Sequence, residues 1–372
     1  MKFSVDRNVF LEGVQKTLGI VERKTTIPIL SNILIEAEGQ NLRIVATDRE
    51  IGLIADYEAT IESPGKITVA ARKLFEMIRE IEAGDILFQK LENNWVHITC
   101  DKVNYRIPGI PADEFPEIVV DEGQTYFSVK TEILREMIGK TFYAISNDEM
   151  RPSLNGVYFS TEKGRLEMVA TDGHRLSLIA MDAGDAAVDT VTVGGAIIPR
   201  KGVGEIRKLM EGEHESVNLG FSEGRCYVRV DGTLLRINLI DADYPDFRKV
   251  VPKDEGIEVL LDRKKLLHAL RRMSVMSNER FSGVKIELTT DKMILSSINP
   301  DVGEAKDEIE VSFDGEGFEV GYSVRYLIDA IDVIAEDSVS FEMRGSDGPG
   351  IIRPVGNETY MCIVMPIKLR EE

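Results

Sequence analysis

The chain lacks what a stapled, exported or membrane protein needs. Among its 372 residues are three cysteines, Cys100, Cys226 and Cys362, each more than a hundred residues from the next. An odd count without clustering excludes a disulfide framework and points to a reducing cytoplasm. No apolar run approaches the roughly 18–20 residues that cross a bilayer. Asp6 and Arg7 fall where a signal peptide needs its apolar stretch, so neither export nor a membrane partner is expected. The four histidines, His97, His174, His214 and His268, share no ligand spacing, so no metal site is expected. No G-x-x-x-x-G-K-[ST] supports nucleotide hydrolysis, and no cofactor is expected. The single tryptophan, Trp95, stands on an apparent strand, where it packs rather than carries a cofactor.

What is present describes a globular protein, with 43% hydrophobic and 29% charged residues. The length exceeds one ordinary core and predicts two to three domains. The formal net charge is −19, from 45 basic and 64 acidic residues. Bulk charge of that sign repels nucleic acid, so a DNA role requires basic residues segregated from an acidic remainder.

The chain repeats itself three times. LSNILIEAEGQNLRIVATD (residues 30–48) recurs as LNGVYFSTEKGRLEMVATD (154–172), and more weakly as FSGVKIELTTDKMILSSIN (281–299). Each alternates apolar and polar residues, turns, and alternates again, which predicts a β-hairpin. Ile33 and Ile35 face Leu42 and Ile44; Val157 and Phe159 face Leu166 and Met168; Val284, Ile286 and Leu288 precede Met293 and Leu295. A strand, short helix, strand signature also comes three times, with helical stripes Leu74/Ile78/Ile81, Ile206/Met210 and Leu327/Ile331/Ile334. A further helix-like segment precedes each hairpin. The fold class is therefore α+β: three repeated domains with antiparallel sheets and two helices each, bounded at 1–122, 123–252 and 253–372.

The predicted helices, residues 6–24, 71–82, 129–146, 199–211, 262–281 and 323–337, carry net charges of +1, 0, +1, +2, +4 and −3. They sum to +5 and leave −24 for sheets and loops. Surface helices favour Lys and Arg in any case, but the acidity elsewhere sharpens the contrast. Lys24, Arg72, Lys73, Arg79, Arg135, Arg200 and Lys201 are the candidate DNA-facing cations. Few aromatics accompany them, so the pattern suits sequence-independent attraction to a duplex backbone rather than base stacking. The sixth helix, with Asp329, Asp332, Glu336 and Asp337, breaks it.

Enzyme signatures are weak. GFSEG (residues 220–224) matches a hydrolase nucleophile elbow, but VNLGFSEGRCYVRV has strands on both sides where the elbow needs a following helix. Asp172 and His174 in DGH make no triad, and a polar hairpin turn is the simpler account unless it lines a binding groove. GSDGPG (345–350) has no helix after it to hold a phosphate.

The MKF start, IPIL (27–30), ATDGHRL (170–176), PRKG (199–202), YPDFRKVVP (244–252), SNERFSGV (277–284) and VMPIKL (364–369) together resemble the bacterial DNA polymerase III beta subunits, the sliding clamps. The likeness spans the chain in order. It implies a non-catalytic processivity factor, a head-to-tail homodimer closed into a six-domain ring, with helices lining the hole around sequence-independent double-stranded DNA. It also implies a peptide groove between the second and third domains, walled by Leu154, Thr171, Gly173, His174, Arg175, Leu176, Pro245 and Val250. Ile363, Val364, Met365, Pro366, Ile367 and Leu369 would form its other wall. Implied partners are the replicative DNA polymerase alpha subunit, the clamp loader, and other polymerases and repair proteins bearing short clamp-binding peptides. At the subunit contact, Tyr105 and Ile107 would pack on Val275 and Met276, with Lys73 and Lys102 facing Asp301, Glu304 and Asp307. Two features depart from the family: NDEMRPS (147–153) is acidic without an aromatic, and Arg370–Glu372 extend past the usual terminal leucine. The rival readings are a peptide-binding scaffold that never encircles DNA and a hydrolase using the Asp172/His174 turn.

Overall fold

The computed structural model describes residues 1–22, 25–121, 124–183, 193–222, 224–254, 256–277, 282–313 and 315–368. The first repeat runs β1 (Lys2–Asp6), α1 (Arg7–Thr17), β2 (Asn32–Glu38), β3 (Asn41–Thr47), β4 (Ile51–Glu58), β5 (Thr60–Ser63) and β6 (Gly65–Ala70). It ends with α2 (Ala71–Arg79), β7 (Asp85–Lys90), β8 (Trp95–Cys100) and β9 (Val103–Ile110). The second runs β10 (Tyr126–Lys130), α3 (Thr131–Thr141), β11 (Gly156–Glu162), β12 (Arg165–Thr171), β13 (Arg175–Asp182) and β14 (Val193–Pro199). It continues with α4 (Arg200–Leu209), β15 (Ser216–Ser222), β16 (Arg225–Val230) and β17 (Thr233–Asn238). The third comprises β18 (Ile257–Asp262), α5 (Arg263–Ser274), β19 (Gly283–Leu288), β20 (Lys292–Asn299), β21 (Gly303–Glu310) and β22 (Phe318–Ser323). It closes with α6 (Val324–Asp332), β23 (Ser338–Met343), β24 (Gly350–Pro354) and β25 (Tyr360–Val364).

The three hairpins form in the register the alternation dictates: Ile35 opposes Ile44, Phe159 opposes Met168, and Ile286 opposes Leu295. All six of these side chains are buried, because a period of two puts every second residue on the core face. The helices form where the stripes predict but are shorter. The first was expected over 6–24 and spans Arg7–Thr17. Asp6 caps it by accepting the N–H groups of Asn8 and Val9, and the Thr17 hydroxyl turns back onto the Val14 carbonyl at its end. Asp262 caps α5 in the same way, accepting from Lys265. None of the described helices is long and apolar enough to cross a membrane.

The packing forms two compact units: residues 1–131 with 201–239, and residues 132–200 with 240–372. Unit 1 holds a 13-stranded sheet, ordered β10-β15-β16-β17-β4-β3-β2-β6-β9-β8-β7-β1-β5. Unit 2 holds an eight-stranded sheet, β14-β11-β12-β13-β25-β24-β23-β18, and a four-stranded one, β21-β20-β19-β22. The middle repeat divides because each half of its strands pairs with a different neighbour. β17 pairs antiparallel with β4, from Thr233 opposite Ala55 to Ile237 opposite Ile51. β13 pairs with β25, from Arg175 opposite Val364 to Ile179 opposite Tyr360. Strand pairing is thus continuous across the junctions between successive repeats.

Apolar clusters fill each unit. In unit 1, Phe3 stacks on Phe88 at 4.8 Å between ring centres, and Phe10 meets both edge-on at about 6 Å. All three cysteines are unpaired and buried. Burial raises the Cys226 thiol pKa far above its ordinary value and pushes that of Cys362 up to about 12. The folded chain is therefore expected to resist a thiol reagent at pH 8, whereas unfolding in guanidinium releases all three thiols. Absorbance titration with an aromatic disulfide checks this, and fast labelling of the native chain would contradict the core placement.

Candidate peptide groove and its surroundings

The groove region is built on a tight turn between β12 and β13. The Thr171 hydroxyl donates to the Arg175 carbonyl at 2.6 Å and accepts from the Gly173 N–H at 3.1 Å. Asp172 Oδ1 accepts the N–H groups of His174 and Arg175, both at 3.0 Å. Gly173 sits at φ +89°, where a side chain is disfavoured. The turn leaves His174 exposed with its carbonyl outward, and Met365 N–H donates to that carbonyl at 2.8 Å. The segment after β25 thereby runs along the turn, and Ile367 N–H anchors it again on the Gly321 carbonyl at 2.8 Å.

Beneath lies an apolar cluster of Val169, Leu176, Phe247, Ile351 and Ile363, with Tyr158, Tyr244 and Val251 packed against it. Tyr158 and Tyr244 lie 5.1 Å apart, and the Tyr244 hydroxyl donates to the Val169 carbonyl. The surface above is formed by Gly173, His174, Pro245, Val250 and Met365, all exposed, with Thr171, Pro366 and Ile367 half-buried. Leu154, Leu176, Ile363 and Val364 are instead core residues, none more than 6% exposed, and they support the surface from below. Leu176 faces inward because β13 alternates and Arg175 takes the opposite side. Leu369 lies outside the described residues, as does the extension after it.

Arg175 points away from that surface. Its Nε donates to Asp172 at 3.0 Å, Nη1 to Asp329 of α6 at 2.6 Å, and Nη2 to the Tyr143 carbonyl at 2.6 Å. Its guanidinium lies over the rings of Tyr326 and Tyr143, at 4.4 and 5.1 Å. Burial alone would lower its pKa, but the hydrogen bond to Asp329 and the charges of Asp172 and Asp329 outweigh it and raise it. The sequence reading missed Tyr143 and Tyr326, and met Asp329 only as an acid in an otherwise basic set of helices. That anomaly was the available signal.

The candidate DNA-facing cations divide. Lys73, Arg79 and Arg135 are exposed, the first two beside Glu76 and Glu80. Arg72, Arg200 and Lys201 donate to the carbonyls of Leu18, Ile145 and Ile20, and so also tie their helices to nearby turns. Lys24 lies outside the described residues. At the candidate subunit contact, Val275 is 70% exposed, Tyr105 and Met276 are half-buried, and Ile107 is buried in its own unit. Lys102, Asp301 and Glu304 are exposed, whereas Asp307 is held by Arg272 of the same chain. Among the described residues, 103–108 of β9 pair with β8 alone and β21 pairs with β20 alone, so each has one open side.

The enzyme alternatives fail on geometry. β15 is followed by β16 where an elbow needs a helix, and the Ser222 hydroxyl donates to Asp121 rather than to a histidine. Asp172 is consumed by its own turn and by Arg175, and among the described residues no cluster of His, Cys, Asp and Glu could hold a metal.

Three family models match end to end: the DNA polymerase III beta subunit N-terminal domain over residues 1–119, its central domain over 128–246 and its C-terminal domain over 248–368. The beta sliding clamp of Caulobacter vibrioides is 34% identical, over 99% of this chain and all of the relative. That of Pseudomonas aeruginosa is 30% identical over the same shares. The crystal structure of the Bacillus subtilis sliding clamp superposes with a TM-score of 0.95 at 27% identity, covering both chains completely. With three clamp domains, a turn and apolar surface in place of a catalytic centre, and full-length relatives, the chain belongs to the DNA polymerase III beta subunit family, the non-catalytic beta sliding clamps that act as processivity factors in DNA replication.

Proposed function

We propose that two copies of this chain close head to tail into a ring around duplex DNA, each copy contributing clamp domains 1–122, 123–252 and 253–372. The observation that carries the proposal is the pair of open edges, β9 residues 103–108 and β21. An unpaired strand edge exposes N–H and C=O groups that favour another strand. Pairing β9 of one copy with β21 of the other would close both edges and cover Tyr105, Val275 and Met276. Lys102 would then meet Asp301 and Glu304; Asp307 would contribute through Arg272 rather than directly.

The exposed cations Lys73, Arg79 and Arg135 supply attraction to phosphates without base contacts. Such binding is weak, salt-dependent and indifferent to sequence, and a closed ring needs no more. The apolar surface of His174, Pro245, Val250, Met365, Pro366 and Ile367 would take short peptides from the replicative polymerase alpha subunit, the clamp loader and other polymerases or repair proteins. A methionine-bearing surface over a rigid core adapts to several apolar ligands while the turn fixes register.

Three outcomes are expected. Sedimentation of the wild type should give about twice 41.6 kDa. Replacing Tyr105 and Met276 with glutamate should give monomers, since a charge would be buried unpaired at the contact; a wild-type monomer at micromolar concentration contradicts the ring. The loaded protein should stay on nicked circular DNA and slide off the same DNA once linearised, and the triple variant of Lys73, Arg79 and Arg135 to alanine should load less well as salt rises. Equal retention on both DNA forms would favour the scaffold reading. A chain ending at Val364 loses the backbone bonds of Met365 and Ile367, about 1 kcal/mol each. It should still fold and dimerise, yet lose a polymerase-tail peptide that the full chain binds with a Kd on the order of micromolar. Calorimetry checks it, and unchanged peptide affinity removes the C-terminal segment from the groove.

A further inference from the structure

The seam between successive repeats is built twice, once within each unit, and the two copies differ in what fills them. A shift of 124 residues (172 less 48) carries Lys16 onto Lys140, Asp48 onto Asp172 and Glu205 onto Asp329. The turn itself recurs bond for bond. The Thr47 hydroxyl donates to the Ile51 carbonyl at 2.8 Å, and Asp48 Oδ1 accepts the N–H groups of Glu50 and Ile51. In unit 2, Tyr143 and Tyr326 clasp the Arg175 guanidinium, which donates to Asp329. The same shift places Gly19, Gly202 and Ile51 at those three positions in unit 1. Two tyrosines and an arginine are replaced by two glycines and an isoleucine, and one of these positions, Gly19, lines a cavity of about 840 Å³.

Its floor is the seam: Leu53 and Leu235 are cross-strand partners and both line it, with Leu18 and Phe75 beside them. Glu205 lines it where Asp329 stands in the twin, its side chain 8% exposed and paired with Lys208 at 2.7 Å. The other lining lysines are also neutralised, Lys16 by Glu12 and Lys201 by Asp48. Arg72 donates to the Leu18 carbonyl and has no carboxylate, while two lining carboxylates, Glu22 and Glu211, have no cation within bonding distance among the described residues. The unmatched charge is thus one positive against two negative, which favours a cation. The volume falls in the range of small-ligand sites.

We propose that this cavity binds a flat cationic group, a guanidinium or aryl amidine, lying against Phe75 and the leucine floor and donating to Glu205, as Arg175 donates to Asp329 in the twin seam. Benzamidine is the probe, measured by saturation-transfer NMR on the full-length protein. N-acetylarginine amide serves as the second arm, to separate an arginine side chain from a small aromatic cation, and benzoate and inorganic phosphate as anionic controls. Benzamidine should receive saturation and the anions should not. Gly19→Tyr restores the twin's plug and should abolish the signal. Its added Cβ first meets the ends of the flexible Glu205 and Lys208 side chains, at 2.4 and 2.5 Å, so these must shift to admit it. Glu205→Gln should weaken benzamidine at least tenfold, and it decides the matter if Gly19→Tyr fails to fold by circular dichroism. No benzamidine signal in the wild type, an unchanged signal in a folded Gly19→Tyr, or binding of phosphate or benzoate in place of the amidine would overturn the proposal; the last would make Arg72 the centre of an anion site instead.

Discussion

Everything in this molecule depends on strands from one repeat completing the sheet of the next. A repeat of about 120 residues buries its own hairpins, yet it ends in a strand with an open edge. β17 closes its edge on β4, and β25 closes its edge on β13. Each closure satisfies a row of backbone groups that would otherwise invite foreign strands, and each makes the junction as rigid as the sheet itself. Within each unit the strands that meet at the junction are joined by backbone hydrogen bonds rather than by a linker. Among the described residues, the third repeat's β21 and residues 103–108 of the first repeat's β9 are each paired on one side only, which is the physical basis for the proposed assembly with a second copy.

A seam made by two backbones needs packing on both of its faces. On one face of the β13–β25 seam, Leu176 and Ile363 join Phe247 and Ile351 and support the apolar surface. On the other, Arg175 fills the space and binds the turn, the loop after α3 and α6 together. A buried charge is stabilising only with its partners in place, and deleting one partner commonly costs about 3–5 kcal/mol. Arg175 therefore fixes the turn that carries His174, with all three of its donor nitrogens engaged inside the chain. The family resemblance places it in the groove wall; in the fold its guanidinium lies among Asp172, Asp329 and the Tyr143 carbonyl.

Much of the fold was legible because it is local. Ile33, Ile35, Leu42 and Ile44 announce a hairpin by alternation, and Leu74, Ile78 and Ile81 announce a helix by their stripe. Helix ends were less legible: apolar residues such as Leu18, Ile20 and Val21 continue past Thr17, and only the backbone shows that they belong to a turn. The seams were not legible. Nothing near Leu235 in sequence announces Leu53, since their pairing arises from two distant edges meeting. The groove residues came from resemblance rather than pattern, so buried Leu176 and Ile363 were grouped with exposed Met365. Tyr143 and Tyr326 carry no local signal, because an aromatic on a helix face or after a helix reads as ordinary packing.

The acidic composition also finds its account at this level. A chain of net charge −19 would be repelled by a polyanion at a distance beyond the Debye length only weakly, and screening at about 8 Å in physiological salt makes local charge decisive. What matters is which cations remain exposed. Arg72, Arg200 and Lys201 are partly spent on the carbonyls of Leu18, Ile145 and Ile20. Lys73, Arg79 and Arg135 stay at the surface, and acids beside Lys73 and Arg79 temper their attraction. Weak, tempered positive charge suits a protein that must stay near DNA without gripping it, because each strong phosphate contact would have to be broken at every step of sliding. In the proposed ring, topological closure would supply the persistence that charge withholds, so the open strand edges and the modest cations would be two parts of one design constraint.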